Sequence, residues 1–185
     1  MTDISEITVA GPADRERIVS SLVAAFPGDP VLRFLFPGDD DYRRGAPVFF
    51  GHLFDKRVHR STIWTIEGGV STAIWEPPGG GDVPATEMAL SPVGRERMAA
   101  YDDALHAALP DEPFWYLGVL GTHPAAAGRR LGRAVMAAGL RRATEDGLPA
   151  FLETSNPANV ELYRRAGWEV VAEFPDPLQT WIMRQ

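Results

Sequence analysis

The chain has 185 residues, 45% hydrophobic and 23% charged, with no cysteine, a single lysine (Lys56) and a formal charge of −7. That length and balance suit one globular domain with a full core, and the missing cysteines exclude a disulfide framework, a thiolate metal site and a cysteine nucleophile. An acidic surface argues against nucleic acid as a partner and suits a cationic small molecule.

The first ten residues, MTDISEITVA, lack a basic start before an apolar stretch, and no segment reaches the ~18–20 apolar residues of a membrane span. No membrane association and a cytoplasmic location are expected. His52, His59, His106 and His123 are scattered without metal-ligand spacing, so no metal is expected either.

In chain order, residues 6–10 read as a short strand that Gly11-Pro12 breaks, and a helix follows over 13–26 with Ile18, Leu22, Ala25 and Phe26 on one face. Pro27, Gly28 and Pro30 stop it. Residues 31–36 make one or two helical turns before the polar loop PGDDD. Pro47 then opens a helix to about residue 59, with Phe49, Phe50, Leu53 and Phe54 on its apolar side. The segments 61–67 and 70–76 alternate around Gly68-Gly69, the pattern of a β-hairpin. Ser91-Pro92 is an N-cap with proline at the first helical position, and Met98, Tyr101, Leu105 and Leu109 continue at helical spacing. A strand at 114–120, a helix at 128–146, a strand at 150–154, a helix at 157–166 and strands at 168–173 and 179–184 complete the series. With no repeat and no long linker, the order indicates one mixed α/β domain over 1–185.

The run 114–140 is the most telling. An apolar strand (FWYLGVL) passes through a glycine-containing turn (GTHPAAAGRRLG) into a helix rich in Ala and Arg. Such a junction offers free backbone N–H groups and a positive helix end, which hold phosphorylated ligands. Neither GxGxxG nor a phosphate loop ending in GKS or GKT is present. Leu131, Val135 and Ala138 fall on the sheet-facing side of the helix, and Arg130, Arg133 and Arg141 on the water side. Arg141 and Arg142 read as solvated surface. Arg129, Arg130 and Arg133, beside the turn, are either surface charges or phosphate contacts.

Downstream, LETSNPANVELYRRAGWEVV (152–171) places Asn159 and Tyr163 four residues apart on one helix face, and the helix ends at Gly167 before an aromatic-led strand. In order and spacing, LGTHPAAAGRRLGRAVM and NVELYRRAGW resemble the acetyl-CoA motif of the GCN5-related N-acetyltransferase (GNAT) superfamily. WYLGVL, FLETS, the Asn159 and Tyr163 pair and the closing TWIMRQ resemble its branch containing puromycin N-acetyltransferase. The chain departs from the motif [QR]-x-x-G-x-[GA] at Ala127, which stands where Gln or Arg is usual, and at Arg130, which stands where the first glycine is.

The resemblance implies a single-domain GNAT fold: a mixed, mostly antiparallel sheet of six to seven strands flanked by helices. Residues 1–110 would form the acceptor side and 111–185 the acetyl-CoA side. It further implies that Leu120, Gly121 and Thr122 align the pantetheine arm, that the amides of Gly128, Arg129, Arg130, Leu131, Gly132 and Arg133 hold the pyrophosphate, and that Asn159 and Tyr163 contact the cofactor. Gly118, in mid-strand, marks either the bulge or splay that such enzymes use to admit the thioester, or a plain packing glycine.

The implied activity is direct transfer of acetyl to the amine of a small molecule. Expelling a thiol of pKa ~8.5 calls for a proton donor, and a phenol near ~10 supplies one. Tyr163 matches the family's general acid; the alternative is a core aromatic. An ammonium acceptor must lose a proton before attack, and Glu153 is the first candidate for that base, or else an ion-pair partner; Glu76, Glu87, Asp102 and His106 are the others. The rival readings are an acyl-CoA-binding sensor without turnover, which Ala127 and Arg130 favour, and acetylation of a protein or peptide amine. Strands at the C-terminal surface are compatible with a homodimer.

Overall fold

Short apolar segments line up edge to edge, and β2 and β3 bury residues on both faces. A computed structural model describes residues 6–79 and 90–185. Its strands are β1 (Ile7–Val9), β2 (Ile63–Ile66), β3 (Ser71–Glu76), β4 (Trp115–Thr122), β5 (Ala150–Thr154), β6 (Glu169–Phe174) and β7 (Thr180–Arg184). They form one seven-stranded sheet in the order β1-β2-β3-β4-β5-β7-β6. Every neighbouring pair is antiparallel except β4 with β5. The helices are α1 (Arg15–Ala25), α2 (Pro30–Leu35), α3 (Asp39–Arg57), α4 (Pro92–Ala108), α5 (Leu131–Glu145) and α6 (Pro157–Arg164). The expected mixed, mostly antiparallel α/β domain is the one observed.

Side-chain alternation assigns the helices to faces. On one side Trp64, Trp75, Leu152 and Met183 pack under Val135 of α5 and Val160 of α6. On the other, Ile63, Ile74 and Val119 meet α1, α2 and α3, while Phe151 and Ile182 meet Tyr101 and Leu105 of α4. No helix among the described residues is long and apolar enough to cross a membrane.

Local chemistry explains most element ends. Ser91 caps α4 by accepting from Gly94 N at 3.0 Å, and Asn156 caps α6 by accepting from Ala158 N at 3.0 Å. Two expectations shift. Helix α3 starts at Asp39 rather than Pro47, because three acidic residues occupy its first turn and offset the helix dipole. Pro47 lies inside the helix on its exposed side, where a carbonyl left without an amide partner remains open to water. Helix α5 starts at Leu131 rather than residue 128; a 3-10 turn (Pro124–Ala126) and a left-handed Arg130 come first.

The irregularity that shapes the molecule is in β4. Ile74 pairs with Val119 but Trp75 pairs with Leu117, so Gly118 is an extra, unpaired residue. This is a β-bulge. A Cβ at Gly118 would meet Tyr116 and the Ile74 carbonyl only at 3.7 and 3.8 Å, so close packing does not require glycine there. The bulge also reverses the alternation. Trp115 and Leu117 face α5, Val119 faces α1 and α3, and Leu120 faces the α5 side again.

Close approach does require glycine at Gly139 of α5, where a Cβ would overlap the Trp75 indole. Alanine would gain about 1 kcal/mol in helix propensity, whereas overpacking a tight core costs about 1–3 kcal/mol. Gly139→Ala is therefore expected to lower stability by up to about 2 kcal/mol, read as a lower urea midpoint at unchanged slope.

Candidate active site

Past the bulge, β4 and β5 part. Their parallel pairing covers Trp115 with Ala150, Tyr116 with Phe151 and Leu117 with Leu152, and ends there. Two cavities open at the fork. A cleft of about 860 Å³ lies between the end of β4, the start of α5 and α6. A smaller chamber of about 110 Å³ lies on the fork itself, with Gly118 and Glu153 among its walls. Leu120, Asn159 and Tyr163 line both.

The turn before α5 is built to present amides. Gly128 and Arg130 both hold positive φ, +81° and +61°, and the first helical bond back to the turn is Ala134 N to Arg130 O, 3.3 Å. The amides at the start of α5 therefore have no intrahelical acceptor. Leu120, Thr122, Gly128, Arg130, Leu131, Gly132 and Arg133 all border the larger cleft, with Asn159 and Tyr163 across from them. Gly132 sits over Thr122, whose Oγ1 would lie 3.4 Å from a Cβ there.

Two of the expected cofactor residues face elsewhere. Gly121 turns toward α1, where a Cβ would come within 2.6 Å of Leu22 Cδ2. The Arg129 guanidinium reaches across to the hairpin turn, with Nη1 donating to Glu67 Oε2 at 3.0 Å. Neither side lines the cleft.

Glu153 projects from β5 into the chamber, where the Tyr116 hydroxyl donates a hydrogen bond to its Oε2. Burial pushes its carboxyl up to about 8; its own backbone amide opposes this, and the nearby charges of Asp29 and Asp102 add to it. Tyr163, 9% exposed, is raised above its ordinary value, first by burial and then by Glu153 and Asp29. Asn159 Nδ2 points at Thr154 Oγ1, 3.5 Å away, beside the fork.

The other acid–base candidates stand apart from this pair. Glu76 is held by the buried Arg57 guanidinium. His106 borders a separate cavity of about 400 Å³ beyond Tyr116. Asp102 lines neither cavity at the fork, and Glu87 lies outside the described residues. No group of three His, Asp or Glu among the described residues could hold a metal ion.

Sequence reasoning missed Asp29 in the chamber wall and Tyr116, which bonds to Glu153 from outside it. Asp29 lies in a segment read only as a helix stop, and its one visible signal is the Asp-Pro step, an N-cap pattern; Asp29 Oδ1 does accept from Leu32 N at 3.0 Å. Tyr116 had no signal, since its partner is 37 residues away in the chain.

Residues 91–168 match the family model described as the acetyltransferase (GNAT) family. Over that stretch the chain is similar to the GNAT acetyltransferase family. Solved structures share its fold over nearly the full length. One is histone acetyltransferase HPA2 and related acetyltransferase from Corynebacterium glutamicum, at 22% identity, 97% of this chain, 94% of that chain and TM-score 0.69. Arylalkylamine N-acetyltransferase 2 from Aedes aegypti follows at 11% identity, 99% of each chain and TM-score 0.72. The polyamine N-acetyltransferase of Drosophila melanogaster shows 14% identity, 97% of each chain and TM-score 0.56. At such identities it is the fold that is shared.

Within the matched stretch the left-handed Arg130 is the costly position, since a Cβ disfavours that conformation by about 1–2 kcal/mol. Arg130→Gly is expected to stabilise the protein by up to about 1 kcal/mol after the entropy cost of glycine. Arg130→Val, branched at Cβ, should destabilise it by a similar amount. Thermal denaturation of the two variants beside the native protein reads both signs.

Proposed function

We propose that the chain is a cytoplasmic, acetyl-CoA-dependent N-acetyltransferase that passes acetyl directly to the amine of a small molecule. The observation that carries this reading is the junction at the fork: a cleft ending in free helix amides and a chamber holding an ionisable carboxyl share Leu120, Asn159 and Tyr163. Residues 111–185 would serve the cofactor and 1–110, with Glu153 and Tyr163 from the other half, the acceptor.

The cleft suits the cofactor in both size and chemistry. The unbonded amides at the start of α5, with Gly128 and the Arg130 and Arg133 guanidiniums at its mouth, complement a pyrophosphate. Leu120 and Thr122 present strand backbone to an extended amide-bearing arm, and Gly118 leaves space at its end. Bound there, acetyl-CoA supplies a thioester as the activated acyl donor. Glu153 takes the proton of the incoming ammonium, held for that purpose by the Tyr116 hydroxyl. Tyr163, kept protonated by its surroundings, gives a proton to the departing sulfur.

A second reading, an acyl-CoA sensor without turnover, is favoured by Arg130 at a position that asks for glycine. It predicts binding of acetyl-CoA without thiol release for any amine.

Thiol release with a panel of primary amines tests the choice. Tyr163→Phe should lower kcat about 100-fold, within the range of a lost general acid, while acetyl-CoA binding by calorimetry stays unchanged. For pH, only the ionised Glu153 carboxylate is a base, and it forms above the raised value of about 8. kcat/KM should therefore climb with pH through about 8, and Glu153→Gln should lose that limb. A flat profile in the native protein would remove Glu153 from the base role.

A further inference from the structure

The chamber at the fork holds more negative charge than a general base needs. Asp29 and Glu153 both line its about 110 Å³, and neither is joined to a cationic side chain among the described residues. Three phenylalanines stand with them. Phe26 packs on Phe50 at 5.2 Å between ring centroids, and Phe49 on Phe50 at 5.4 Å. Apolar walls of this kind deprive a carboxylate of water without returning hydrogen bonds, which is costly unless a counter-charge is present. The two carboxyls are accordingly raised above their ordinary values, Asp29 by burial and Glu153 by burial and then by like charge from Asp29.

A second observation is independent of charge. Tyr101 of α4 also lines the chamber, is 6% exposed, and its hydroxyl makes no hydrogen bond. The nearest candidates, Ser155 and Thr180, lie close enough to ease its ionisation, yet their hydroxyls are joined to each other at 2.7 Å. A buried polar group left this way costs about 1–3 kcal/mol. The cost disappears if a ligand in the chamber bonds to it.

We propose that Asp29 is the counter-ion for the acceptor's ammonium and that Tyr101 takes one of its N–H bonds, so that the chamber selects an unhindered primary amine. This rests on the acetyl-transfer reading and names its acceptor class. A primary ammonium has three N–H donors, and Asp29, Tyr101 and Glu153 are among the oxygen-bearing side chains that line the chamber. Glu153 is then free to remove the proton that faces the donor. The space is smaller than the ~150 Å³ that admits a benzene ring. It therefore takes the amine and the first carbons, and the remainder of the acceptor lies toward the mouth.

Asp29 already has a structural duty as the N-cap of α2. Asparagine caps a helix as well as aspartate does, so Asp29→Asn removes the charge and keeps the fold. The probes are 2-phenylethylamine and its neutral counterpart of near-identical shape, 2-phenylethanol. Binding of each to the CoA-loaded protein is measured by calorimetry, with thiol release followed in parallel. The native protein should bind the amine at least 10-fold more tightly than the alcohol, and Asp29→Asn should abolish that preference. Its KM for the amine should rise at least 10-fold, with KM for acetyl-CoA close to native. Tyr101→Phe should raise the melting temperature, since an unsatisfied hydroxyl is removed, and weaken amine binding about 3–10-fold, the worth of one hydrogen bond. Equal binding of amine by native and Asp29→Asn protein overturns the proposal, as does native protein that does not prefer the amine over the alcohol. Asp29-dependent binding without thiol release upholds the ammonium site and instead defeats the acetyl-transfer reading.

Discussion

The molecule is organised by a sheet that stops pairing half-way along its centre. β4 and β5 are the one parallel pair, and side by side they would continue to bond if β4 were regular. The extra residue at Gly118 turns β4 aside, and its backbone groups past that point are no longer taken up by β5. An open seam in a hydrophobic sheet must be filled by something that bonds to peptide groups, and an extended, amide-bearing cofactor arm meets that need. The bulge also sorts the side chains. Leu120 lines the larger cleft, whereas Tyr116, on the opposite face, supports Glu153.

Electrostatics divides the site in the same way as the bulge does. The cleft side is basic, with Arg130 and Arg133 at the free amides of α5. The chamber side is acidic and apolar, with Asp29, Glu153 and the phenylalanine cluster. A polyanion and a cation would therefore approach from different sides and meet at the fork. The same desolvation that raises the Glu153 carboxyl also raises the Tyr163 phenol. In the proposed mechanism one environment would draw the base toward neutrality and keep the acid protonated.

Much of this was legible in the sequence where the signal is local. Gly68-Gly69 between alternating segments marked the β2–β3 hairpin, and Ser91-Pro92 marked a helix start, because turns and caps depend on neighbours within a few residues. The cofactor half was readable for the same reason: the turn at 127–133 and the face bearing Asn159 and Tyr163 are each contained in one short stretch. The chamber was legible only in Leu120, Glu153, Asn159 and Tyr163, since much of the rest of its wall is assembled from the end of α1, the loop before α2, and from α2, α3 and α4. Asp29 sits in a stretch whose glycine and prolines say only that a helix ends. Pro47 misled because proline is a stronger mark of a helix start than three aspartates are, although here the aspartates open the helix and the proline rides on its wet side.

Gly139 gives the cleft a hidden dependence. Helix α5 touches down on Trp75 at Gly139, where a side chain is missing, and its amide-bearing end stands more than a full turn away, over Leu120 and Thr122. Trp75 therefore acts as a fulcrum and α5 as a rigid arm. The height of the free α5 amides above the strand is set by a contact in the dry core, away from the cleft.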